Sequence, residues 1–189
     1  YSASAFATKH EDAIYFSKRV TRAVPDGGPI EAHTDLVKKL DYECELAVVL
    51  GRDARDVPAG QTRDYIFGYT ILNDVSARDV QTAHKQWYFG KSLDGFTPIG
   101  PCIVTADAFA DYPPRLGIRS FVNGEKRQDS NTALQIFDID HVIAELSQGM
   151  TLKAGTIIAT GTPAGVGMVM DPPQFLKPGD VVRCEIDGI

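Results

Sequence analysis

The sequence predicts a mainly β fold with a few short helices, and three observations lead to this α+β class. Short runs of β-branched and aliphatic residues recur along the chain. Turns that contain Pro or Gly separate these runs. Strands and helices show no regular βαβ alternation, so irregular connections are expected. With 189 residues, 43% of them hydrophobic, residues 1–189 are predicted to form a single domain around one sizeable core.

The first half of the chain is predicted to contain four elements. They are a strand over 13–20, a strand over 42–50, a segment over 61–74 that is first helix-like and then β-like, and a short helix over 75–87. The stretch PDGGP, residues 25–29, indicates a turn between the two strands. Asp74 or Ser76 is the expected N-cap of the helix, and Asp79 supports its first turn.

The second half has a β-rich pattern. Strands are predicted at GPCIVTA, RSFVNG, TIIATG and VVRCEI, and turns such as VNGEK and LKPGD separate them. One helix, over 139–149, interrupts the strands. Its apolar spacing is helical, Asp140 is the expected N-cap, and Gly149 is the expected stop signal.

The net charge and the cysteine content limit which kinds of partner and which cellular compartment are expected. The formal net charge is −6 and no basic run is present, which argues against nucleic acid as the main partner. No apolar run approaches membrane-spanning length. Cys44, Cys102 and Cys184 lie in apolar stretches without a CxxC motif, so we expect reduced, buried thiols in a cytoplasmic protein. Because the chain begins at Tyr1 rather than Met, a truncated N-terminus is expected.

Two carboxylates in the strand DYECELAVVLG, Glu43 and Glu45, suggest a cation site. They are two residues apart, so a strand would point both to one face, where like charges are destabilising unless something neutralises them. Asp74 ends the next strand-like segment and would complete an all-oxygen site for Mg²⁺, Mn²⁺ or Ca²⁺ if the three converge. The alternative is a solvent-facing strand edge with Lys or Arg partners, and the ExE pattern alone does not decide between them.

Candidate substrate-binding groups follow Asp74. Arg78 lies four residues after Asp74 and three before Gln81, so on a helix the three would share a face. A guanidinium there suits a substrate carboxylate, although a surface ion pair is an alternative. Lys91 follows in an aromatic segment. Near a metal and Arg78 its pKa is expected to be lowered, which would allow proton transfer.

The glycine-rich stretch ATGTPAGVG, residues 159–167, follows a predicted strand. It lacks the spacing of nucleotide-binding loops, so no nucleotide is expected there. Its glycines are expected to let the backbone approach a ligand, and Thr162 offers a hydroxyl.

Six blocks of the sequence, taken together, resemble the fumarylacetoacetate hydrolase family. They are DYECELAVVLG, GYTILNDVSARDVQ, GKSLDGFTPIGP, VNGEKRQDSNT, SQGMTLKAGTIIATGTPAGVG and LKPGDVVRCEIDGI. The blocks occur in order from about residue 13 to residue 189. The resemblance implies a mixed β-sandwich roll that forms a homodimer and acts on a small-molecule 2-oxo or enol acid.

The resemblance also implies roles for the candidate residues. By motif position, the divalent metal would be bound by Glu43, Glu45 and Asp74, with Mg²⁺ favoured and Mn²⁺ or Ca²⁺ as alternatives. The substrate-binding positions of the family fall on Arg78, Gln81, Lys91 and Thr162. All of these except Thr162 are also expected to be catalytic.

Several reactions are open within the family. C–C bond hydrolysis of an acylpyruvate-type substrate through a metal-chelated enolate is favoured. Isomerisation of the 2-hydroxyhepta-2,4-diene-1,7-dioate type, decarboxylation of an oxaloacetate-like acid, and a catalytically inactive binding protein are alternatives. One departure bears on hydrolysis, because the hydrolytic members carry a water-activating His–Glu dyad before the first strand. If Tyr1 is the Tyr of that motif, Ser4 occupies the His position, and His10–Glu11 lies too close to the next strand to match the spacing. The dyad then lies outside residues 1–189, is replaced by His10–Glu11, or is absent, which keeps isomerisation and decarboxylation open.

Overall fold

The computed structural model describes residues 12–189, and its regular elements are mostly strands. The strands are β1 (Leu40–Asp41), β2 (Cys44–Leu50), β3 (Ile66–Asn73), β4 (Ser76–Ala77), β5 (Ile99–Thr105), β6 (Gly117–Val122), β7 (Glu125–Asn131), β8 (Ile157–Ala159) and β9 (Val182–Ile186). The α-helices are α1 (Arg78–His84), α2 (Trp87–Lys91) and α3 (Ile139–Leu146). The predicted mainly β, α+β class is confirmed.

Two sheets pack face to face around the main core. The larger has the strand order β5-β3-β2-β8 and the smaller the order β7-β6-β9, and every ladder in them is antiparallel. Strands β2 and β3 contact β6 and β9. The side chains between the sheets include Leu46, Tyr69, Ile118 and Ile186. Strands β1 and β4 form a separate ribbon beside a second apolar cluster. The result is a β-sandwich.

Strand β2 directs the paired glutamates away from this core. Leu46, Val48 and Leu50 alternate into the apolar cluster between the sheets. Glu45 points to the opposite face, and Glu43 directly precedes the strand on the same side. Both are buried, with 8% of Glu43 and 3% of Glu45 exposed. The alternative of a solvent-facing strand edge is therefore excluded.

One predicted strand is absent, and three observed strands, the short β1 and β4 and the longer β7, were not predicted. Residues 13–20 have no regular secondary structure, so the strand predicted there is wrong. Strand β7 was missed because its sequence, EKRQDSN, has few residues with β propensity. It forms as the hairpin partner of β6. Asn123 and Gly124 join the two strands at φ values of 52° and 84°, as a type I′ turn requires.

Helix α1 begins later than the sequence predicts, whereas α3 begins at the predicted residue, Ile139, but ends at Leu146 and has another N-cap. Helix α1 starts at Arg78 rather than at 75, because Ser76 and Ala77 are taken up in β4, and neither Asp74 nor Ser76 caps it. Helix α3 is capped by Asp138, whose Oδ1 accepts the His141 N–H at 2.8 Å.

The residue predicted to cap α3, Asp140, has other partners. It accepts hydrogen bonds from the Gly60 N–H and the Thr62 hydroxyl. It therefore connects α3 to the loop before β3 instead of capping its own helix.

The cysteines are free thiols, but they are not all buried. Cys44 is buried and Cys184 is half-buried, whereas Cys102 is exposed on β5, an edge strand of the larger sheet. The prediction of three buried cysteines is therefore wrong for Cys102. Across residues 12–189, no helix has the length and apolar character needed to cross a membrane.

Candidate metal centre and substrate pocket

The three predicted metal-binding carboxylates converge. Glu43, Glu45 and Asp74 are all buried, and one carboxylate oxygen of each lies within 4.8 Å of the others. The pairing of β2 with β3 brings them together, because Cys44 lies opposite Asn73 and the two glutamates flank Cys44. The Asp74 N–H donates to the Glu43 carbonyl at 2.8 Å, which holds the two backbones beside each other.

The two glutamates have opposite electrostatic environments. Burial raises the pKa of Glu43, but the positive charges of Lys91 and Arg78 outweigh this effect and lower the pKa to about 2. Burial, followed by the negative charges of Asp74 and Glu43, raises the pKa of Glu45 well above its ordinary value. Glu45 Oε2 accepts the Gly161 N–H at 2.8 Å. Of the three carboxylates, Glu45 is the one that forms no salt bridge within residues 12–189.

Lys91 lies between two of the carboxylates. Its Nζ is 2.6 Å from both Glu43 Oε2 and Asp74 Oδ2. Burial lowers the pKa of Lys91, but the two carboxylates raise it by more. The lower pKa expected of Lys91 beside a bound metal stays a prediction. Helix α2 reaches this position because Gly90 packs directly on α1. A Cβ at Gly90 would lie 2.7 Å from the backbone nitrogen of Gln81.

Arg78 is held from three sides at the start of α1. Its Nε donates to Asp41 Oδ2 at 2.9 Å, and its Nη1 donates to Gln81 Oε1 at 3.3 Å. Its Nη2 lies 2.7 Å from Glu43 Oε1. The predicted helical pair of Arg78 with Asp74 is wrong, because α1 begins at Arg78 and leaves Asp74 outside the helix. The predicted proximity of Arg78 and Gln81 is confirmed.

The glycine-rich stretch approaches the carboxylates through its backbone, as the Gly161 contact shows. The Thr162 hydroxyl donates to the Cys44 carbonyl at 3.0 Å and accepts from Gln128 Nε2 at 2.8 Å. Gln128 is fully buried and was missed, because nothing distinguishes it within the polar sequence of β7. Both contacts of Thr162 are with the protein, and its role in substrate binding stays a prediction.

Lys18 is a second residue that sequence reasoning missed. Its Nζ lies 2.6 Å from Asp74 Oδ1 and also donates to the Lys91 carbonyl. Burial lowers the pKa of Lys18 in spite of the neighbouring Asp74. Nothing in the stretch YFSKR marks Lys18 as a site residue, because its position near Asp74 depends on where this irregular segment lies in the fold.

The three carboxylates, Lys18, Lys91 and Arg78 line the acidic end of a cavity of about 1040 Å³. The rest of the lining includes apolar and aromatic side chains from the segment before Lys18 and from the region of α3, namely Ile14, Tyr15, Phe16, Ile136, Phe137, Val142, Leu146 and Met150. The cavity is large enough for a small organic acid.

The donor set fits a divalent cation. Carboxylate oxygens are the ligands that Mg²⁺, Mn²⁺ and Ca²⁺ prefer, and three of them meet here. Glu45 supports the same conclusion, because a buried carboxylate without an ion pair is costly. A cation bound between Glu43, Glu45 and Asp74 would neutralise Glu45, the carboxylate that forms no ion pair with the lysines or Arg78.

The positions considered for a water-activating dyad are not among residues 12–189. Ser4, His10 and Glu11 fall outside the described residues. Among the described residues that line the cavity, none is a histidine. His84 is exposed on α1 and packs against Phe89.

The fold and the site define a β-sandwich protein with a buried, carboxylate-rich pocket flanked by lysine and arginine. The family model described as fumarylacetoacetate (FAA) hydrolase C-terminal matches residues 2–189. The chain belongs to the fumarylacetoacetate hydrolase family, and the resemblance seen in the sequence is confirmed.

Three relatives show the range of activities among similar proteins. Oxaloacetate tautomerase YisK of Bacillus subtilis (strain 168) is 44% identical over 179 residues, which cover 95% of this chain and 59% of the relative. A solved structure of fumarylacetoacetate hydrolase from psychrophilic Exiguobacterium antarcticum has 52% identity and a TM-score of 0.82, covering 85% of this chain and 57% of that one. Fumarylpyruvate hydrolase from Pseudomonas aeruginosa, solved with Mn²⁺ and pyruvate, has 29% identity and a TM-score of 0.77. That match covers 89% of this chain and 70% of the Pseudomonas chain. The chain spans less than two thirds of the first two relatives.

Proposed function

We propose that the protein is a divalent-metal-dependent enzyme that hydrolyses a C–C bond in a small acylpyruvate-type 2-oxo acid. The observation that carries this proposal is the buried cluster of Glu43, Glu45 and Asp74 beside Arg78 and Lys91. Mg²⁺ is the proposed metal, and Mn²⁺ or Ca²⁺ would suit the same donors. The Pseudomonas hydrolase, solved with Mn²⁺ and pyruvate, supports the pairing of such a metal with a 2-oxo acid.

The side chains around the cluster would each act on one part of the substrate. When bound, the cation would supply a Lewis acid that polarises the 2-oxo group. Arg78 would bind the substrate carboxylate, because a guanidinium presents paired N–H donors. Gln81 would assist with its amide N–H₂, since its oxygen accepts from Arg78. Lys91 Nζ would donate to the oxygen on which negative charge develops, and Thr162 would contact the substrate from the glycine-rich stretch.

The proposed hydrolysis consumes one water molecule and divides the substrate into two acids. The oxygen of water adds to the distal acyl carbon, and the bond between this carbon and C3 of the pyruvate unit breaks. The electron pair of that bond stays on the pyruvate unit as an enolate, which takes up a proton at C3. The products are a carboxylic acid and pyruvate.

Keto–enol tautomerisation of a small 2-oxo diacid such as oxaloacetate is the second candidate. It moves a proton between C3 and the 2-oxo oxygen and needs no activated water. The lack of a histidine among the described cavity-lining residues favours it. The name of the Bacillus relative, oxaloacetate tautomerase, supports it as well.

Turnover assays separate these reactions. The purified protein would be given an acylpyruvate, enol-oxaloacetate or 2-hydroxyhepta-2,4-diene-1,7-dioate, each with Mg²⁺ and with EDTA. We expect acylpyruvate cleavage with Mg²⁺ and none with EDTA. Turnover of enol-oxaloacetate alone would establish the second candidate, and turnover of the dienedioate alone would identify an isomerase. Turnover that persists in EDTA would contradict metal dependence, and no turnover of any substrate would contradict the function.

Oxalate, which resembles the enolate of pyruvate, tests the binding mode without turnover. We expect calorimetry to show oxalate binding with Mg²⁺ and none after EDTA treatment, because the cation and Arg78 would share the two carboxylates of oxalate. Equal binding in both conditions would contradict a metal-assisted site.

We further propose a cytoplasmic homodimer. The support for the homodimer is the family resemblance, which implies one. Light scattering that gives the mass of one chain would contradict the dimer.

A further inference from the structure

Asp41 is a fully buried carboxylate at the edge of the pocket, and the proposed chemistry gives it no role so far. Its two oxygens accept four hydrogen bonds. Oδ1 accepts the N–H groups of Tyr42 at 3.0 Å and Gly167 at 2.8 Å. Oδ2 accepts the Met168 N–H at 3.0 Å and Arg78 Nε at 2.9 Å.

We propose that Asp41 is a positioning residue that orients the Arg78 guanidinium for a substrate carboxylate and ties it to the end of the glycine-rich stretch. This inference rests on the proposed function, in which Arg78 binds that carboxylate. Asp41 would act through Arg78 without touching the substrate or the metal.

The contacts of Arg78 show how Asp41 sets its orientation. A guanidinium is planar, so the bond from Nε to Asp41 and the contact of Nη2 with Glu43 together fix its plane. Glu43 belongs to the acidic cluster and would bind the cation. Asp41 is then the charged acceptor that holds Arg78 in place independently of the cation, and the longer bond to the neutral Gln81 amide assists it. A fixed guanidinium loses less conformational freedom when it binds a carboxylate.

The same carboxylate holds one wall of the pocket. Gly167 fits against it closely, since a Cβ there would lie 2.9 Å from Asp41 Oδ1 and 1.9 Å from the Gln174 carbonyl oxygen. Val166 and Met168, on either side of Gly167, line the cavity. Asp41 therefore connects Arg78 and this wall through a single buried group.

Asp41→Asn is the first test. Asparagine keeps the size of the side chain, but in either orientation its N–H₂ group would face two of the four N–H donors. We expect calorimetry to show unchanged Mg²⁺ affinity and an oxalate affinity in Mg²⁺ that falls by about tenfold or more. With the substrate found in the turnover assays, KM is expected to rise more than kcat falls.

Asp79→Asn is the matched control. Asp79 follows Arg78 in the same helical turn, and its Oδ2 accepts the Lys38 N–H at 2.8 Å. We expect both affinities to stay at the wild-type level. A loss of oxalate affinity as large as that of Asp41→Asn would overturn the specific role of Asp41.

A double-mutant cycle with Arg78→Lys shows whether Asp41 acts through Arg78. Lysine lacks the Nε–H donor, so Asp41→Asn should have little further effect on oxalate affinity in the Arg78→Lys background. Equal losses in both backgrounds would overturn the inference, as would wild-type oxalate affinity in Asp41→Asn alone. If the wild-type protein binds no oxalate with Mg²⁺, the proposed function and this inference fail together.

Should Asp41→Asn not fold, as judged by circular dichroism, NMR of the wild-type protein replaces it. We expect the Arg78 Nε–H to exchange slowly with solvent in the Mg²⁺-loaded protein, before and after oxalate is added. Fast exchange in either state would show that Asp41 does not hold the guanidinium.

Discussion

The two ends of the pocket are built in different ways. At one end, Glu43, Glu45 and Asp74 belong to paired strands or to the residues directly beside them, and all three are buried. In the apolar part of the lining, which we call the apolar end, Tyr15 and Phe16 belong to a segment without regular secondary structure, and each exposes 40% of its surface. Phe16 also borders the acidic end, since its ring centroid lies 5.6 Å from Lys91 Nζ. The comparison teaches that the charged end needs a fixed backbone, whereas the apolar end does not.

The physical reason lies in how steeply the two kinds of interaction depend on position. Buried charges are costly unless their partners lie within hydrogen-bond distance, so a small displacement at the acidic end has a large effect. Apolar contacts are non-directional and change gradually with distance. Substitutions at the acidic end should therefore affect binding and turnover far more than substitutions at the apolar end.

Glu45→Ala should have the largest effect. Substitutions outside the ligand shell of metal sites commonly reduce affinity 10- to 100-fold, so loss of a ligand is expected to weaken Mg²⁺ binding by more than about a hundredfold. Calorimetric titration measures this. Glu31→Ala, at an exposed carboxylate, is the control and should bind Mg²⁺ normally. Unchanged affinity in Glu45→Ala would contradict the metal site.

Lys91→Met should separate metal binding from turnover. The ammonium group occupies oxygens of Glu43 and Asp74, so its removal should strengthen Mg²⁺ binding. Turnover should nevertheless fall by about a hundredfold, because a donor to the developing negative charge is lost. Calorimetry and kcat measure the two effects, and Lys91→Arg, which keeps the charge, should restore Mg²⁺ affinity toward the wild-type value. A variant with weaker Mg²⁺ binding would show that Lys91 supports the cation instead of competing with it.

Lys18→Met tests the junction between the two ends. Lys18 belongs to the irregular segment, but its ammonium contacts Asp74. Loss of this charge-assisted bond should raise KM by about tenfold. Arg22→Met, at an exposed residue of the same part of the chain, should leave KM unchanged. If the two variants behave alike, Lys18 does not belong functionally to the acidic end.

Tyr15→Phe should have the smallest effect. The Tyr15 hydroxyl donates to Glu145 of α3, and loss of one exposed hydrogen bond is expected to destabilise the protein by about 1 kcal/mol. This should lower Tm by no more than about 4 °C in thermal unfolding. KM should stay within about twofold of the wild-type value. A tenfold rise in KM would show that this end also depends on directed polar contacts.

Prediction from sequence succeeded where the pattern is local. The spacing of Glu43 and Glu45 predicts a common face, because side chains alternate along a strand, and the structure confirms it. It failed for the start of α1, because pairing of Ser76 and Ala77 with β1 prevails over their helical pattern. It failed for β7 because the hairpin, rather than residue propensity, makes that strand.

The sequence by itself determined the fold class, the family and the common face of Glu43 and Glu45, since each depends on short motifs, whereas the pairing of β2 with β3 brings Asp74 to them. Only the tertiary structure decided which cations meet those carboxylates. Asp41 and Arg78 are 37 residues apart, and Lys18 and Asp74 are 56 apart. Such contacts depend on how the sheets, the ribbon and the irregular segment pack. No local periodicity encodes that packing, so Asp41 and Lys18 become visible only in the folded chain.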